Sequence, residues 1–296
     1  MTTVRMGSMA KAAAMLGVTQ PAVSQVIAEL EQVLGARLLD RHPQGVEATT
    51  FGDVLLRGGL AAFDSLKQSL GEIDFLRNPL SGEVRLGCPE TVAALLPPII
   101  KSFATAYPKI VLHVREVAAP TLELPLLRER AIDLAILRVA GLPERYAGTE
   151  DLTIETLFKD EMLVVVGRDS PWARRRRVTF ADLVEEQWIL PPANTLTSEI
   201  VMQAFQQHGL GKPRVGLVTF SIALRAKLVA EGRYVTVLPR SLLGHFPQGR
   251  SVSTLPMKLP EHEWPVVMAT LKHRSLNPAA RLFIDEVRRG IATLYC

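Results

Sequence analysis

The chain has 296 residues, 48% of them apolar and 22% charged, with a formal net charge of +4. This length supports two or three hydrophobic cores, and no run approaches the ~18 uninterrupted apolar residues of a membrane span. Cys88 and Cys296 are too few for a disulfide scaffold, and no charged segment leads into an apolar core at the N-terminus, so a reducing, cytoplasmic setting without a membrane partner is expected.

The segment SMAKAAAML, from Ser8 to Leu16, reads as a short helix with Ser8 as its N-cap. Gly17 and Val18 separate it from TQPAVSQVIAELEQVLG, where Thr19 is the N-cap and Pro21 falls in the first turn, a place where a missing amide costs nothing. Val23, Ile27, Leu30 and Leu34 recur at helical spacing as one stripe expected to be buried, and Gly35 ends the helix in the left-handed conformation. Two helices joined by a tight glycine turn form a helix-turn-helix or a hairpin inside a larger bundle. The first-turn set Gln20, Ser24 and Gln25 favours the helix-turn-helix, because amide and hydroxyl groups there read base edges and a helix N-terminus suits a phosphate. ARLLDRHPQGVEATT then predicts two short strands around a turn. On this wing Arg37, Arg41 and His42 are candidates for phosphate or minor-groove contacts.

Ala10-Lys11-Ala12-Ala13, the run Leu16 to Ser24, Ile27, Leu30-Glu31, Leu34-Gly35, Arg37-Leu38-Leu39, Arg41, and Thr49 with Gly52 closely resemble the winged helix-turn-helix of LysR-type transcriptional regulators. The resemblance implies a DNA-binding domain over residues 1–50, with the recognition helix starting at the Gln-Pro step. Its expected DNA-binding set is Thr19, Gln20, Pro21, Ser24, Gln25, Arg37, Arg41 and His42, and its expected partner is double-stranded promoter DNA bound by a dimer or tetramer. Two departures carry consequences. Only MTTVRMG stands where the family has a further helix, through a late start or a shortened domain, so Ala13, Leu16 and Val23 are expected to leave an exposed apolar patch. Arg5, Lys11, Arg37 and Arg41 are balanced by Glu29, Glu31, Asp40 and Glu47, which predicts weak non-specific affinity for this segment alone.

Residues 51–78 read as a linker helix, capped by Thr49 and broken by Asn78-Pro79 and Ser81-Gly82. Val54, Leu55, Ala62, Phe63, Leu66, Leu70 and Ile73 form an apolar side that needs a partner, most simply the same helix of a second copy. Gly58-Gly59 is expected to mark a kink or a close crossing. A homodimer or homotetramer with paired recognition helices implies a partly palindromic site.

From Glu83 the pattern changes to strands alternating with helices, which signals βαβ units and mostly parallel sheets. The expected fold class is thus α/β: a winged helix-turn-helix, a long linker helix, and an effector domain over residues 83–296. The latter resembles a type 2 periplasmic binding protein, on Leu86-Gly87, Leu96-Pro97, Phe103, Tyr107-Pro108, Asp133 to Ile136 and Val237 to Pro239. Its lobes are expected at 83–158 plus 265–296 and at 159–262. The resemblance places an effector cleft along Pro89, Glu90, Thr91, Thr121, Asn194, Thr195, Thr197, Thr219, Phe220 and Ser221, suited to a small polar or carboxylated molecule. Taken singly, the hydroxyl residues are also cap and turn formers. Arg138 follows a strand end and is a candidate partner for an acidic effector or a surface residue. The run Arg174 to Arg177 reads as a solvated connector or an anion contact.

The six histidines, His42, His113, His208, His245, His262 and His273, show no zinc-site spacing, and neither a nucleophile elbow, a phosphate loop nor a dinucleotide fingerprint is present. No metal, no cofactor and no catalysis are expected. The expected function is a transcriptional regulator whose DNA binding responds to a small metabolite. Its rivals are a shortened relative that assembles and binds ligand without reading DNA, and an α/β enzyme.

Overall fold

The computed structural model describes residues 1–117, 124–141, 148–244, 251–260 and 264–295. The chain divides into two units, Met1–Leu70 and Gly71–Cys296. The first contains α1 (Thr2–Met6), α2 (Met9–Leu16), α3 (Gln20–Leu34), β1 (Leu39–His42), β2 (Gly45–Ala48) and most of α4 (Thr50–Arg77). Ser8 and Thr19 cap α2 and α3 by accepting from the amides of Lys11 and Ala22, and Gly17 and Gly35 end these helices at φ of 67° and 64°.

The small core of this unit is Met9, Ala13 and Val23, with Ile27, Leu39 and Val46 packed on it. Ala13 and Val23 are therefore covered, contrary to the expected patch, whereas Leu16 is 55% exposed. The stripe on α3 is also shorter than its spacing suggests, with Leu30 and Leu34 at 40% and 48% exposure, because the core extends along α3 only to Ile27. The wing is tied down on two sides. Glu31 Oε1 accepts from the amides of Leu38 at 2.7 Å and Leu39 at 3.2 Å, and the Thr49 hydroxyl donates to the Arg37 carbonyl at 2.7 Å while accepting from the Gly52 amide at 3.1 Å. A Cβ at Gly52 would lie 2.1 Å from the Leu38 carbonyl oxygen, so only glycine fits this corner.

The 28 residues of α4 run unbroken through Gly58 and Gly59. Among the described residues no other element lies within 4 Å of a Cβ placed at either glycine, so none of them makes the expected close crossing. Each glycine costs a helix only ~1 kcal/mol, which a helix this long tolerates. Val54, Leu55, Phe63, Leu66, Leu70 and Ile73 remain exposed along it.

The second unit begins with β3 (Ser81–Cys88), α5 (Glu90–Ala93), α6 (Pro97–Ala106), β4 (Lys109–Glu116), α7 (Pro125–Arg128), β5 (Leu134–Arg138) and β6 (Leu152–Phe158). It crosses to β7 (Met162–Gly167), β8 (Trp188–Leu190), α8 (Leu196–Gln207), β9 (Val215–Val218), α9 (Ile222–Ala230), β10 (Val235–Pro239) and β11 (Val252–Thr254). It then returns through β12 (Val266–Leu271) to α10 (Pro278–Tyr295). Two five-stranded sheets result, ordered β4-β3-β5-β12-β6 and β11-β7-β10-β8-β9.

These sheets are mixed, which corrects the expectation of mostly parallel ones. In the first lobe β3 lies parallel to β4 and β5, while β12 runs antiparallel to β5 and β6. The second lobe has β8 parallel to β9 and β10, with β7 antiparallel to β10 and β11. The cause is the double crossing between lobes, which brings β7 and β12 in against the direction of the βαβ strands. Helices cover the sheets, and the aromatic contacts Phe103–Phe283 and Trp188–Phe205 are edge-on at 5.0 and 5.5 Å. No helix among the described residues is long and apolar enough to cross a membrane.

One ion pair lies fully inside the first lobe. Arg274 Nη2 donates to Asp133 Oδ1 at 3.0 Å and Nη1 to the Ile132 carbonyl at 2.7 Å, while Asp133 Oδ2 accepts from the Arg85 amide at 2.9 Å. Their side chains are 0% and 2% exposed, so removing one member strands the other charge. Asp133→Ala should therefore lower unfolding free energy by ~3–5 kcal/mol, read as an earlier urea midpoint.

Candidate functional site

Two surfaces gather the candidate residues. On the first unit, Thr19, Gln20, Pro21, Ser24 and Gln25 stand at the start of α3, all exposed except the half-buried Ser24. Gln25 Nε2 donates to Glu29 Oε1 at 2.9 Å, which holds this carboxamide along the helix and leaves Gln20 and Ser24 as the outward polar pair of the first turns. Arg37, Arg41 and His42 are exposed, Arg41 and His42 standing on β1 opposite Val46 and Gly45. An exposed helix N-terminus is suited to phosphate and base-edge contacts, and exposed basic side chains on a hairpin to phosphates.

In the second unit a cavity of about 150 Å³ opens between the lobes. Pro89, Glu90, Thr91, Arg138, Asn194, Thr195, Thr197 and Phe220 of the expected set line it. It lies beyond the C-terminal ends of β3, β5, β8 and β10, the place where α/β sheets bind ligands. Thr219 and Ser221 are outside the lining. The Ser221 hydroxyl caps α9 by accepting from the Leu224 amide, and Thr219 Oγ1 accepts from the Ser221 amide. Thr121 lies outside the described residues.

Thr195 lines the cavity and also caps α8: its hydroxyl donates to the Pro192 carbonyl at 2.8 Å and accepts from the Ser198 amide at 3.3 Å. Among the described residues, the side chains of Thr91, Asn194 and Thr197 have no such commitment. Arg138 is buried and not a surface residue, and its charge already has a partner, while its Nε lacks an acceptor among the described residues. Its Nη2 donates to Asp160 Oδ2 at 2.7 Å, with side-chain exposures of 5% and 2%. Asp160 Oδ2 also accepts from the Ser241 hydroxyl at 2.5 Å. Arg138 belongs to the first lobe, Asp160 to a crossing segment and Ser241 to the second lobe, so this network pins the lobes together and cancels the Arg138 charge.

The charge that the sequence reading missed is Arg225. It lines the cavity from α9 at 3% exposure, donates from Nη1 to the Val237 carbonyl at 3.3 Å, and its Nε has no acceptor among the described residues. Burial lowers its pKa to about 10, opposed by the nearby Glu90 charge, so the guanidinium remains charged at neutral pH. A signal was present in the sequence: Arg225 shares the helix face of Ile222, Ala226 and Val229, an apolar stripe where a charge must turn inward. Met162, Trp264, Val117 and Phe220 give the cavity apolar walls, and Glu116 stands at its rim.

Elsewhere, burial and the Glu116 charge push the Cys88 thiol up to about 12, which leaves it protonated and unreactive. Arg174 to Arg177 are exposed, with Arg175 stacked 4.9 Å from the Trp172 ring centre. No group of three or more His, Cys, Asp or Glu among the described residues is arranged to hold a metal ion.

Comparison with known proteins covers both surfaces. Residues 1–53 match the model of the bacterial regulatory helix-turn-helix protein, lysR family, and residues 77–292 match the LysR substrate binding domain. The chain is similar to the HTH-type transcriptional regulator GbpR of Azospirillum brasilense, with 29% identity over 285 residues that span 96% of this chain and 82% of the relative. It is also similar to the transcriptional dual regulator GltC of Bacillus subtilis, 29% identical over 267 residues, 90% of this chain and 86% of the relative. Among solved structures, HinK, a LysR family transcriptional regulator from Pseudomonas aeruginosa, matches with a TM-score of 0.55 at 26% identity, over 98% of this chain and 95% of that one.

The geometry separates capping from lining at one residue. Thr195→Ala should cost about 1 kcal/mol through loss of the α8 cap, measured by thermal unfolding, and Thr195→Ser should restore it.

Proposed function

The chain belongs to the LysR family of bacterial transcriptional regulators, and we propose that it reads DNA with the start of α3 and senses a small carboxylated metabolite in the cleft between its lobes. It is a ligand-sensing, DNA-binding regulator and not an enzyme. Gln20 and Ser24 reach base edges in the major groove, while Arg37, Arg41 and His42 meet phosphates or the minor groove. The exposed apolar side of α4 pairs with the same helix of a second copy, which sets two recognition helices on a partly palindromic promoter site.

The observation that carries the sensing role is Arg225, a buried cation facing a cavity with an incomplete set of acceptors. A carboxylate supplies those acceptors, in a site whose apolar walls strengthen the ionic contact. Thr91, Asn194 and Thr197 add neutral hydrogen bonds from both lobes. Such a ligand favours the arrangement in which both lobes touch it, and it shifts DNA binding only through that difference in affinity.

A second reading has support in the exposed Leu30, Val33 and Leu34 and in the balanced charge of residues 1–50: a chain that assembles and binds ligand without reading DNA. Fluorescence anisotropy decides between them, using the DNA flanking the chain's own gene and a scrambled duplex of equal length. Preference for the native duplex supports the regulator, and equal binding of both supports the second reading. Within the regulator, Gln20→Ala should reduce discrimination between the duplexes by ~1–3 kcal/mol. Arg41→Ala should weaken both alike and reduce the salt slope by about one. In calorimetric titration with small carboxylates, Arg225→Met should lower affinity by roughly ten- to a hundredfold, the size of a lost charge-assisted hydrogen bond, and leave duplex binding unchanged in ligand-free buffer.

A further inference from the structure

Three formal charges in the cavity lining lack a neutralising ion pair among the described residues. Arg225 is buried in the second lobe, Glu90 is half-buried at the start of α5 in the first, and Glu116 is exposed at the end of β4. The fourth lining charge, Arg138, is already cancelled by Asp160. Glu90 and Arg225 are close enough for the carboxylate to raise the arginine's pKa, yet no ion pair joins them among the described residues. Glu90 Oε2 instead accepts from the Ile222 amide at 2.8 Å, at the N-terminus of α9, and its other oxygen has no hydrogen-bond partner among the described residues. The Glu116 carboxylate likewise has neither a hydrogen bond nor an ion pair among them.

This set of charges discriminates between ligand classes. A simple carboxylate satisfies Arg225 but is brought up against Glu90 and Glu116, two like charges to one unlike. A simple amine suits the carboxylates but leaves a buried guanidinium with its Nε unsatisfied and no countercharge supplied, and desolvates it further. A molecule carrying both groups on neighbouring atoms meets both demands. We infer that the effector is a small zwitterion, a neutral α-amino acid, whose carboxylate sits on Arg225 and whose ammonium group sits against Glu90 and Glu116. The inference rests on the proposed role of the cleft as the effector site.

Size and walls narrow the class. About 150 Å³ is the order of cavity that admits a six-carbon ring, and Val117, Met162, Phe220 and Trp264 offer an apolar surface to the side chain. Chain position gives the ligand its effect. Glu90 comes from the first lobe and Arg225 from the second, so one molecule holding both is a bridge across the cleft. Glu90 already spans that gap through the Ile222 amide, and an ammonium group against its free oxygen adds to this contact without displacing it.

Calorimetry on the full chain tests the assignment with three matched probe sets: alanine, valine, leucine and phenylalanine; their α-hydroxy acids; and their decarboxylated amines. At least one amino acid should bind on the order of tenfold or more tighter than its own hydroxy acid and amine, since a site built to pair an N–H group rejects the analogue lacking it. Glu90→Gln, whose carboxamide oxygen can still accept from the Ile222 amide, should bring the ratio of amino acid to hydroxy acid close to one. A hydroxy acid that binds as tightly as its amino acid overturns the zwitterion, and so does a ratio that Glu90→Gln leaves unchanged. If that hydroxy acid loses affinity on Arg225→Met, the carboxylate reading of the cleft stands without it. Silence of all three sets with a folded chain also overturns the zwitterion. If other small carboxylates are silent too, the cleft reading falls with it.

Discussion

Holding the Arg225 guanidinium inside α9 is the constraint around which the cleft is organised. A buried charge without full hydrogen bonding is among the least favourable things a fold can contain. Its position follows from helical spacing: Ile222, Ala226 and Val229 pack into the core, and the same face carries Arg225 inward with them. The Val237 carbonyl gives it one acceptor and Glu90 a nearby countercharge, but neither completes it. Apolar walls around it raise the strength of any ionic contact made there. A second arginine of the same cavity shows the contrast. Arg138, whose Nε also lacks an acceptor among the described residues, has its charge met by Asp160 and donates from Nη2 to Ser241 across the lobes. One cation has a countercharge that joins the lobes, and the other has a single backbone acceptor and no ion pair among the described residues.

The reading unit follows different rules, because its core is only a few side chains. Precision there comes from polar contacts instead. The Glu31 carboxylate fastens the end of α3 to the start of the wing, and Thr49 fastens the wing to α4. Gly52 allows that corner to close at all. The outcome is a hairpin, carrying Arg41 and His42, that is tied to the end of α3 on one side and the start of α4 on the other. Val54, Leu55, Phe63, Leu66, Leu70 and Ile73 are left uncovered along α4.

Much of this was legible in the sequence, where the signal was local. Caps and terminating glycines placed α2 and α3, and uninterrupted apolar runs placed β5 and β7. The resemblance led to Glu90, Thr91, Asn194 and Thr197 at the cavity. What escaped depends on distant partners. Asp160 neutralises Arg138 from 22 residues away, and the Ser241 hydroxyl accepts a hydrogen bond from it across 103. Met162, Pro239 and Trp264 reach the cavity from separate crossings of the chain. Arg225 escaped although its signal was local, because the segment containing it was read for helix content and not for which face its charge occupies.

A charge kept for binding and a charge kept for structure differ in the ligand-free protein. Urea unfolding of the unsubstituted chain and of Arg225→Met, which keeps an apolar stem and removes the cation, measures that difference directly. If the guanidinium is held for a ligand, the variant should be as stable as the parent or more so, by up to ~1–4 kcal/mol, as when buried charges give way to apolar groups of similar volume. A loss of ~3–5 kcal/mol, the usual consequence of breaking a buried structural pair, would contradict the account and place Arg225 among the residues that hold the lobes together.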